Sequence, residues 1–377
     1  MDRYLEYAQL KMGEIVRTLR CIVEIESCSV DKESVDRLGN YVVSMLEGIG
    51  ARVTILREKF VGDHLVADFG QGSGQILILC HLDTIWPKGT IKSQPFRVED
   101  GIAYGPGIFD MKSGLTITLY ALKCLHDLNV NLGRRIRVLF TSDEEIGART
   151  SRAHIEKYAK QSDLVLCMEA PLGKSGALKT ARKGLGIFKL MVTGKQAHAG
   201  NDPEKGVNAI YELAHQILKL QSLNNQVLGT SVNVGVVSGG LVSNQVPSKA
   251  QAEIDIRVAS KAQEEKIVKF IQSLTPTLVG ASVEVIGGMN RPVMERTDAI
   301  GRAFDIAKEL GRNIGIDLVE TSAGGGSDAQ FAAAIGLPVL DGLGAVGDGM
   351  FTSREHIVLE TMPQRIALLT ALLTNSK

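Results

Sequence analysis

Residues 76–83, Ile-Leu-Ile-Leu-Cys-His-Leu-Asp, constrain the chain more than any other stretch. Five apolar residues in a row, β-branched at two positions, predict a strand buried on both faces, as in the middle of a parallel sheet. That strand ends in His81 and Asp83, and residues two apart on a strand point to the same side. His81 is therefore a candidate metal ligand, with Asp83 near enough to hold its ring in one tautomer. Alone, His-x-Asp is equally a polar strand end. Its weight comes from later strands that also end in acids.

Helical spacing covers 1–20 and 32–48, and short strands fall near 51–56 and 65–69 on either side of a turn. A Gly- and Pro-rich loop over 84–109 leads through Asp110 into a helical pattern at 111–127. The strand 135–141 runs into Ser142-Asp143-Glu144-Glu145, a helix follows at about 149–160, and the strand 164–168 ends at Glu169. Alternating strand and helix predict an α/β layer with a mostly parallel sheet. From 177 the order becomes strand 184–193, helix 205–221, strands 231–238 and 250–258, helix 261–274 and strand 281–286. That βαββαβ order is ferredoxin-like. Helix 298–310, strand 315–319, helix 328–335, strand 338–340 and helix 361–375 then return to the first pattern. The expectation is a catalytic domain of residues 1–176 and 289–377 with a smaller domain, 177–288, inserted in it.

The composition of the 377 residues excludes several classes. Lysine plus arginine equal aspartate plus glutamate at 42 each, so no charge bias points to nucleic acid or a membrane surface. Apolar runs fall short of the ~20 residues a bilayer needs, and the first residues carry charges where a signal peptide is apolar. The five cysteines are odd in number and form no C-x-x-C pair. They read as reduced, buried thiols of a cytoplasmic protein.

Ligands of open α/β sheets gather beyond the carboxyl ends of the strands. His81, Asp83, Glu144, Glu145 and Glu169 all fall at such ends, and Asp110 opens the helix between them. So many acids on one edge repel one another unless a cation joins them. Imidazole with carboxylates suits zinc, manganese or cobalt, and the carboxylate excess suits two ions. Two such ions serve hydrolysis as Lewis acids and as a source of hydroxide, and the tandem Glu144-Glu145 divides into one ligand and one general base. The unliganded acidic cleft is the competing reading. The remaining histidines, His64, His126, His154 and His215, have no carboxylate or cysteine at ligand spacing.

Seven stretches in order carry a family resemblance: His81-Leu82-Asp83-Thr84; Gly105-Pro106-Gly107-Ile108-Phe109-Asp110-Met111-Lys112-Ser113-Gly114; Ser142-Asp143-Glu144-Glu145-Ile146-Gly147; Met168-Glu169; Gly194-Lys195-Gln196-Ala197-His198-Ala199-Gly200; Ser243-Asn244-Gln245-Val246-Pro247; and Gly324-Gly325-Gly326-Ser327-Asp328. The chain resembles the co-catalytic zinc exopeptidases that include glutamate carboxypeptidase, aminoacylase, acetylornithine deacetylase and succinyl-diaminopimelate desuccinylase, the glutamate carboxypeptidase branch most closely. The resemblance implies a two-zinc hydrolase acting on a small peptide or N-acyl amino acid, with the inserted domain as lid and homodimer contact. It implies His81 and Glu169 on one metal, Glu145 on the second, Asp110 between them, and Asp83 orienting His81. Glu144 would be the general base that takes a proton from the bridging water. His198 would reach the partner subunit's site to stabilise the oxyanion, and Asn244 and Arg257 would hold the substrate carboxylate. Arg291 is a weaker candidate for that role, and a solvated strand residue is the plain reading of Arg257.

One departure stands out in Gly349-Met350-Phe351-Thr352-Ser353-Arg354-Glu355-His356-Ile357. The family places its last metal histidine where this chain has Phe351, and an aromatic residue where it has His356. Phenylalanine cannot ligate zinc. His356 is the substitute candidate, and a histidine opening a strand is the competing reading. A metal-impaired binding protein is accordingly the rival from another class. A nucleotide-binding oxidoreductase is more distant, because the glycines at 105–107 lack G-x-G-x-x-G spacing.

Overall fold

The computed structural model describes residues 2–375, so Met1, the first position of the expected N-terminal helix, lies outside the described residues. The chain divides into two compact units. One is Arg182–Glu295 with Gly324–Gly326, and the rest of the chain forms the other.

In the larger unit, eight strands lie in the order 52–56, 64–69, 135–141, 75–81, 164–167, 339–341, 178–182 and 320–323. The strand expected over 76–80 is Gln75–His81; it is central, pairs in parallel with Arg135–Thr141 and Leu164–Cys167, and is buried at every position. Parallel pairing brings the carboxyl ends of these three strands to one edge, and the candidate ligands follow there. Antiparallel pairing closes the Arg52–Leu56 side through His64–Phe69. Helices Ser113–Asp127 and Thr361–Thr374 are buried along nearly their whole length and pack together, with Arg3–Leu10 and Met12–Glu24 beside them. A second, four-stranded antiparallel sheet joins Gly347–Asp348, His356–Val358, Ile102–Tyr104 and Arg97–Glu99, which ties the loop before Asp110 to the C-terminal segment.

The smaller unit has a four-stranded antiparallel sheet ordered 231–239, 249–258, 184–193 and 282–291, with helices Ala209–Gln221 and Lys261–Gln272 packed on it. This is the βαββαβ arrangement. Strand Gly184–Thr193 buries every second residue, as a sheet covered on one face requires. The expected smaller domain, beginning at 177, takes in strand Leu178–Arg182, which pairs in the large sheet, and the last strand of the smaller unit runs past 288 to Arg291.

Three local expectations differ. The helix expected over 1–20 breaks after Leu10 and restarts at Met12. The strand expected at 315–319 is instead a helix end: Gly315 has φ +80°, and the Ile316 N–H donates to the Gly311 carbonyl. Ile314 and Leu318 are buried from that turn, so their alternation marks packing rather than a strand. Of the cysteines, Cys80, Cys124 and Cys167 are buried but Cys21 is exposed. Among the described residues no helix is long and apolar enough to cross a membrane.

The turn that carries Glu144 and Glu145 is anchored from below by a hydrogen-bond chain. His64 is fully buried; its Nδ1 accepts the Ser142 N–H at 3.1 Å, so the ring proton sits on Nε2 and is donated to Thr150 Oγ1 at 2.9 Å. Thr150 Oγ1 in turn donates to Asp143 Oδ2 at 2.9 Å, which also accepts the Thr150 N–H at 2.7 Å. Burial pushes the His64 pKa below its ordinary value, against the opposing charge of Asp143.

Two predictions follow from this packing. A Cβ on Gly114 would run into the Met168 carbonyl beside Glu169, so Gly114→Ala is expected to cost ~1–3 kcal/mol by denaturant unfolding, whereas Ala at the exposed helical Gly48 should stabilise by up to about 1 kcal/mol. The second concerns pH. With its folded pKa depressed, His64 contributes stability that is complete above its unfolded value of about 6.5 and is lost as pH falls toward the folded pKa. Unfolding free energies measured at about pH 7.5 and about pH 5.5 should therefore fall more steeply in wild type than in His64→Gln.

Candidate metal centre

Three buried groups from three separate elements meet at the carboxyl edge of the large sheet. His81 ends its strand, Glu169 follows strand Leu164–Cys167, and Asp110 lies just before helix Ser113–Asp127. One ligand atom from each lies within 4.8 Å of the other two. His81 Nε2 is 3.1 Å from Asp110 Oδ1 and 3.5 Å from Glu169 Oε1.

The tautomer of His81 is set by the main chain. Its Nδ1–H donates to the Asp83 carbonyl oxygen at 2.9 Å, which turns Nε2 toward the two carboxylates. The Asp83 carboxylate, expected to orient the ring, is 3.6 Å from Nδ1, too long for a hydrogen bond. It accepts instead from Ser29 Oγ at 2.7 Å and from the N–H groups of Glu144 and Glu145, each at 3.2 Å. Asp83 thus positions the ring through its backbone and the tandem glutamates through its side chain.

The electrostatics fit a cation. Burial opposes a charge on His81, but the Asp110 and Glu169 carboxylates, accepting hydrogen bonds from the ring, outweigh it and hold the imidazole well above its usual pKa. Burial, with the Glu169 charge added, raises the Asp110 carboxyl. Glu145 is pushed up to about 10 by burial and by Asp110, and its buried Oε1 has no hydrogen-bond partner among the described residues. A carboxylate, an imidazole lone pair and a second carboxylate within this distance repel until a proton or a divalent ion lies between them. The donor set, one nitrogen with carboxylate oxygens, is of the kind zinc, cobalt and manganese accept.

Beneath the cluster, Glu355 is buried at 2% exposure. Its Oε1 accepts the N–H groups of Phe109 at 2.9 Å and Asp110 at 3.1 Å; its Oε2 accepts the Gly107 N–H at 3.0 Å and the Trp86 indole at 2.8 Å. Burial raises the Glu355 carboxyl to about 7 against these donors. Gly107, at φ +72°, turns the chain so that these N–H groups converge, and a side chain there would strike Thr84. Lys112, buried and pushed down to about 7 by burial, donates to the carbonyl oxygens of Val23 and Ile25. Sequence reasoning singled out neither residue. The signal for Glu355 was its fixed place in the run 349–357; Lys112 gave none beyond its motif.

Other candidates lie elsewhere. His356 begins strand His356–Val358, donates from Nδ1 to the Arg354 carbonyl at 2.7 Å and packs its ring on Tyr104, with centroids 5.4 Å apart. It does not join His81, Asp110 and Glu169, because its strand pairing directs it to Tyr104. Phe351 stands in a turn at φ +63° and is 48% exposed. In the smaller unit, exposed His198 accepts the N–H groups of Gly200 and Asn201 on Nδ1, which puts its proton on Nε2 as an outward donor. Asn244 is exposed and its carbonyl accepts the Ala199 N–H. Arg257 is already forked onto Asp255 at 2.8 and 2.9 Å and donates to the Gly324 carbonyl. Arg291 is buried at 2% exposure.

Comparison with known proteins bears on this architecture. Residues 77–375 match the family model described as peptidase family M20/M25/M40. Carboxypeptidase G2 of Pseudomonas sp. (strain RS-16) is 32% identical over 369 residues, covering 95% of this chain and 88% of that protein. Among solved structures, a tripeptidase from Staphylococcus aureus superposes with a TM-score of 0.78 at 21% identity, covering 96% of this chain and 98% of that one. The Bacillus subtilis YXEP protein, described as a dinuclear metal binding peptidase, does so with a TM-score of 0.72 at 15% identity, covering 97% and 98%. With the family model spanning most of the chain and a relative matched along nearly its whole length, the chain belongs to peptidase family M20/M25/M40 and is a hydrolase of the metallopeptidase kind.

Proposed function

We propose that this chain is a metal-dependent hydrolase that cleaves an amide bond beside a free carboxylate, in the manner of a glutamate carboxypeptidase. The observation that carries the reading is the meeting of His81 Nε2 with the Asp110 and Glu169 oxygens at the edge that also bears Glu144 and Glu145. Likeness to carboxypeptidase G2 along most of both chains supports the substrate class. His81 and Glu169 would hold one divalent cation, Glu145 a second, and Asp110 both, with zinc the first choice and cobalt or manganese as substitutes. Such ions, when bound, supply Lewis acidity at a scissile carbonyl and lower the pKa of water.

The chain's own groups do the rest. Glu144 takes the proton of the attacking water and returns it to the leaving amine nitrogen. Its N–H is held by Asp83, so the carboxylate that fixes this turn also fixes where the base stands. His198, with its proton on Nε2, is a donor suited to a developing oxyanion, supplied across a homodimer. Asn244 and Arg257 are the proposed holders of the substrate carboxylate. Arg257 would exchange Asp255 for it, a swap of like for like at a guanidinium fork.

The test is hydrolysis of an N-acylglutamate beside a neutral N-acyl amino acid by zinc-loaded protein. Cleavage with preference for the glutamate is expected, and Glu144→Gln should lower kcat roughly 100- to 10,000-fold while zinc content stays the same. Preference for the neutral substrate would replace this reading with an N-acyl amino acid deacylase, and no hydrolysis of either with a binding protein.

Zinc content per chain tests the second ion separately. Phe351 offers no ligand atom, so wild type is expected to hold its first equivalent tightly and its second weakly, and Phe351→His to approach two tightly held equivalents with higher kcat. Histidine tolerates the left-handed backbone at this position better than most side chains, so the substitution carries little backbone cost. Two tightly held equivalents in wild type would show that the second site is complete without residue 351.

A further inference from the structure

Glu355 is a buried carboxylate near the centre whose oxygens point into main-chain donors. Its two oxygens accept four N–H groups, three of them from the four consecutive residues 107–110 that end in Asp110. The fourth is the indole of Trp86, the only tryptophan in the chain. A buried carboxylate with four donors on two oxygens leaves little freedom to any of them. Glu355 itself is fixed by the four-stranded sheet that pairs His356 with Tyr104 and by its own N–H, which donates to the Thr352 carbonyl. Asp110, by contrast, lies in a segment whose φ and ψ are not helical, ahead of the first turn of helix Ser113–Asp127. No regular element sets its direction.

We propose that Glu355 is a positioning residue for the metal centre: by gathering the Gly107, Phe109 and Asp110 N–H groups it aims the Asp110 carboxylate at His81 and Glu169, and through the Trp86 indole it couples the 84–109 loop to the occupancy of that centre. The inference rests on the metal reading above. It adds a residue outside the ligand set, a route by which the C-terminal loop acts on the ligands, and a built-in reporter. Carboxylates that orient ligands from behind typically change metal affinity or activity by 10- to 100-fold when lost.

The variant of choice is Glu355→Gln, which keeps the shape but replaces one acceptor oxygen, and so two of the four hydrogen bonds, with a donor. Competition against a chelating dye should show zinc binding about 10- to 100-fold weaker than in wild type. At saturating zinc, kcat should fall while KM for the N-acylglutamate stays within about twofold, since Glu355 touches no substrate. Trp86→Phe, which removes only the indole donor, should retain zinc affinity within about threefold and so separates the backbone clamp from its reporter. A readout that needs no variant is Trp86 emission in wild type. Titrating zinc into metal-stripped protein should shift it and saturate with the first equivalent.

Zinc affinity equal to wild type in a folded Glu355→Gln protein would overturn the positioning role and leave the hydrolase reading standing. Trp86 emission unmoved by bound zinc would overturn the coupling. Should Glu355→Gln fail to fold, the Trp86 titration still decides the coupling, and Glu355→Asp takes over the affinity measurement. Wild type that binds no zinc at all would sink both this inference and the metal reading. Wild type that binds zinc yet hydrolyses nothing sinks only the hydrolase, because the affinity comparison is unaffected.

Discussion

An imidazole nitrogen aimed at two buried carboxylates is the constraint on which the rest of the structure depends. In an apolar interior this arrangement requires a positive charge, carried by a proton or a divalent ion, because two carboxylates share a space a few ångströms wide. Burial and mutual repulsion raise the Asp110 and Glu145 carboxyls together, and the same carboxylates raise His81. These shifts have one physical origin, a missing positive charge, and a divalent ion reverses all of them at once. The supporting structure is arranged to keep the groups together despite that cost. The Asp83 carbonyl locks the His81 ring, the Asp83 carboxylate pins the tandem glutamates, and Glu355 pins the segment that carries Asp110.

The scaffold serves the same end. Parallel pairing among three adjacent strands puts His81, the Glu144-Glu145 turn and Glu169 on one edge, which antiparallel neighbours would have split between two. The buried His64 then holds Ser142 from the neighbouring antiparallel strand, with Thr150 and Asp143 completing the chain. A charged histidine there would place a donor against the Ser142 N–H. The turn that carries Glu144 and Glu145 therefore depends on a histidine remaining neutral, at some distance from the centre where another histidine faces carboxylates.

What was legible in the sequence follows from how each feature is encoded. The central strand is written in five consecutive apolar residues, and the βαββαβ unit in the spacing of its alternations. The acids at strand ends are visible because a parallel sheet has only one edge for them. Asp83 was identified as a partner of His81, but whether its carbonyl or its carboxylate does the holding depends on a turn that no periodicity describes. The strand expected at 315–319 misled because Ile314, Ile316 and Leu318 alternate for a different reason, a helix ended by Gly315. Glu355 could not be read as a clamp, since its four donors come from residues some 250 positions away and their convergence is a matter of tertiary geometry.

The run 349–357 combines both kinds of information. Residue 351 has a side chain that cannot bind a metal, while residue 355 retains a carboxylate with a full set of partners. If the whole loop had drifted, the buried Glu355 would have been among the first losses, because a carboxylate in an apolar interior persists only where donors meet it. It is instead among the best satisfied groups in the structure. Phe351 stands on an exposed turn, and the architecture beneath it brings Asp110 together with His81 and Glu169. On the proposed function, ligand supply at 351 and ligand orientation through 355 are separate tasks of one loop, and only the second has a side chain suited to it here.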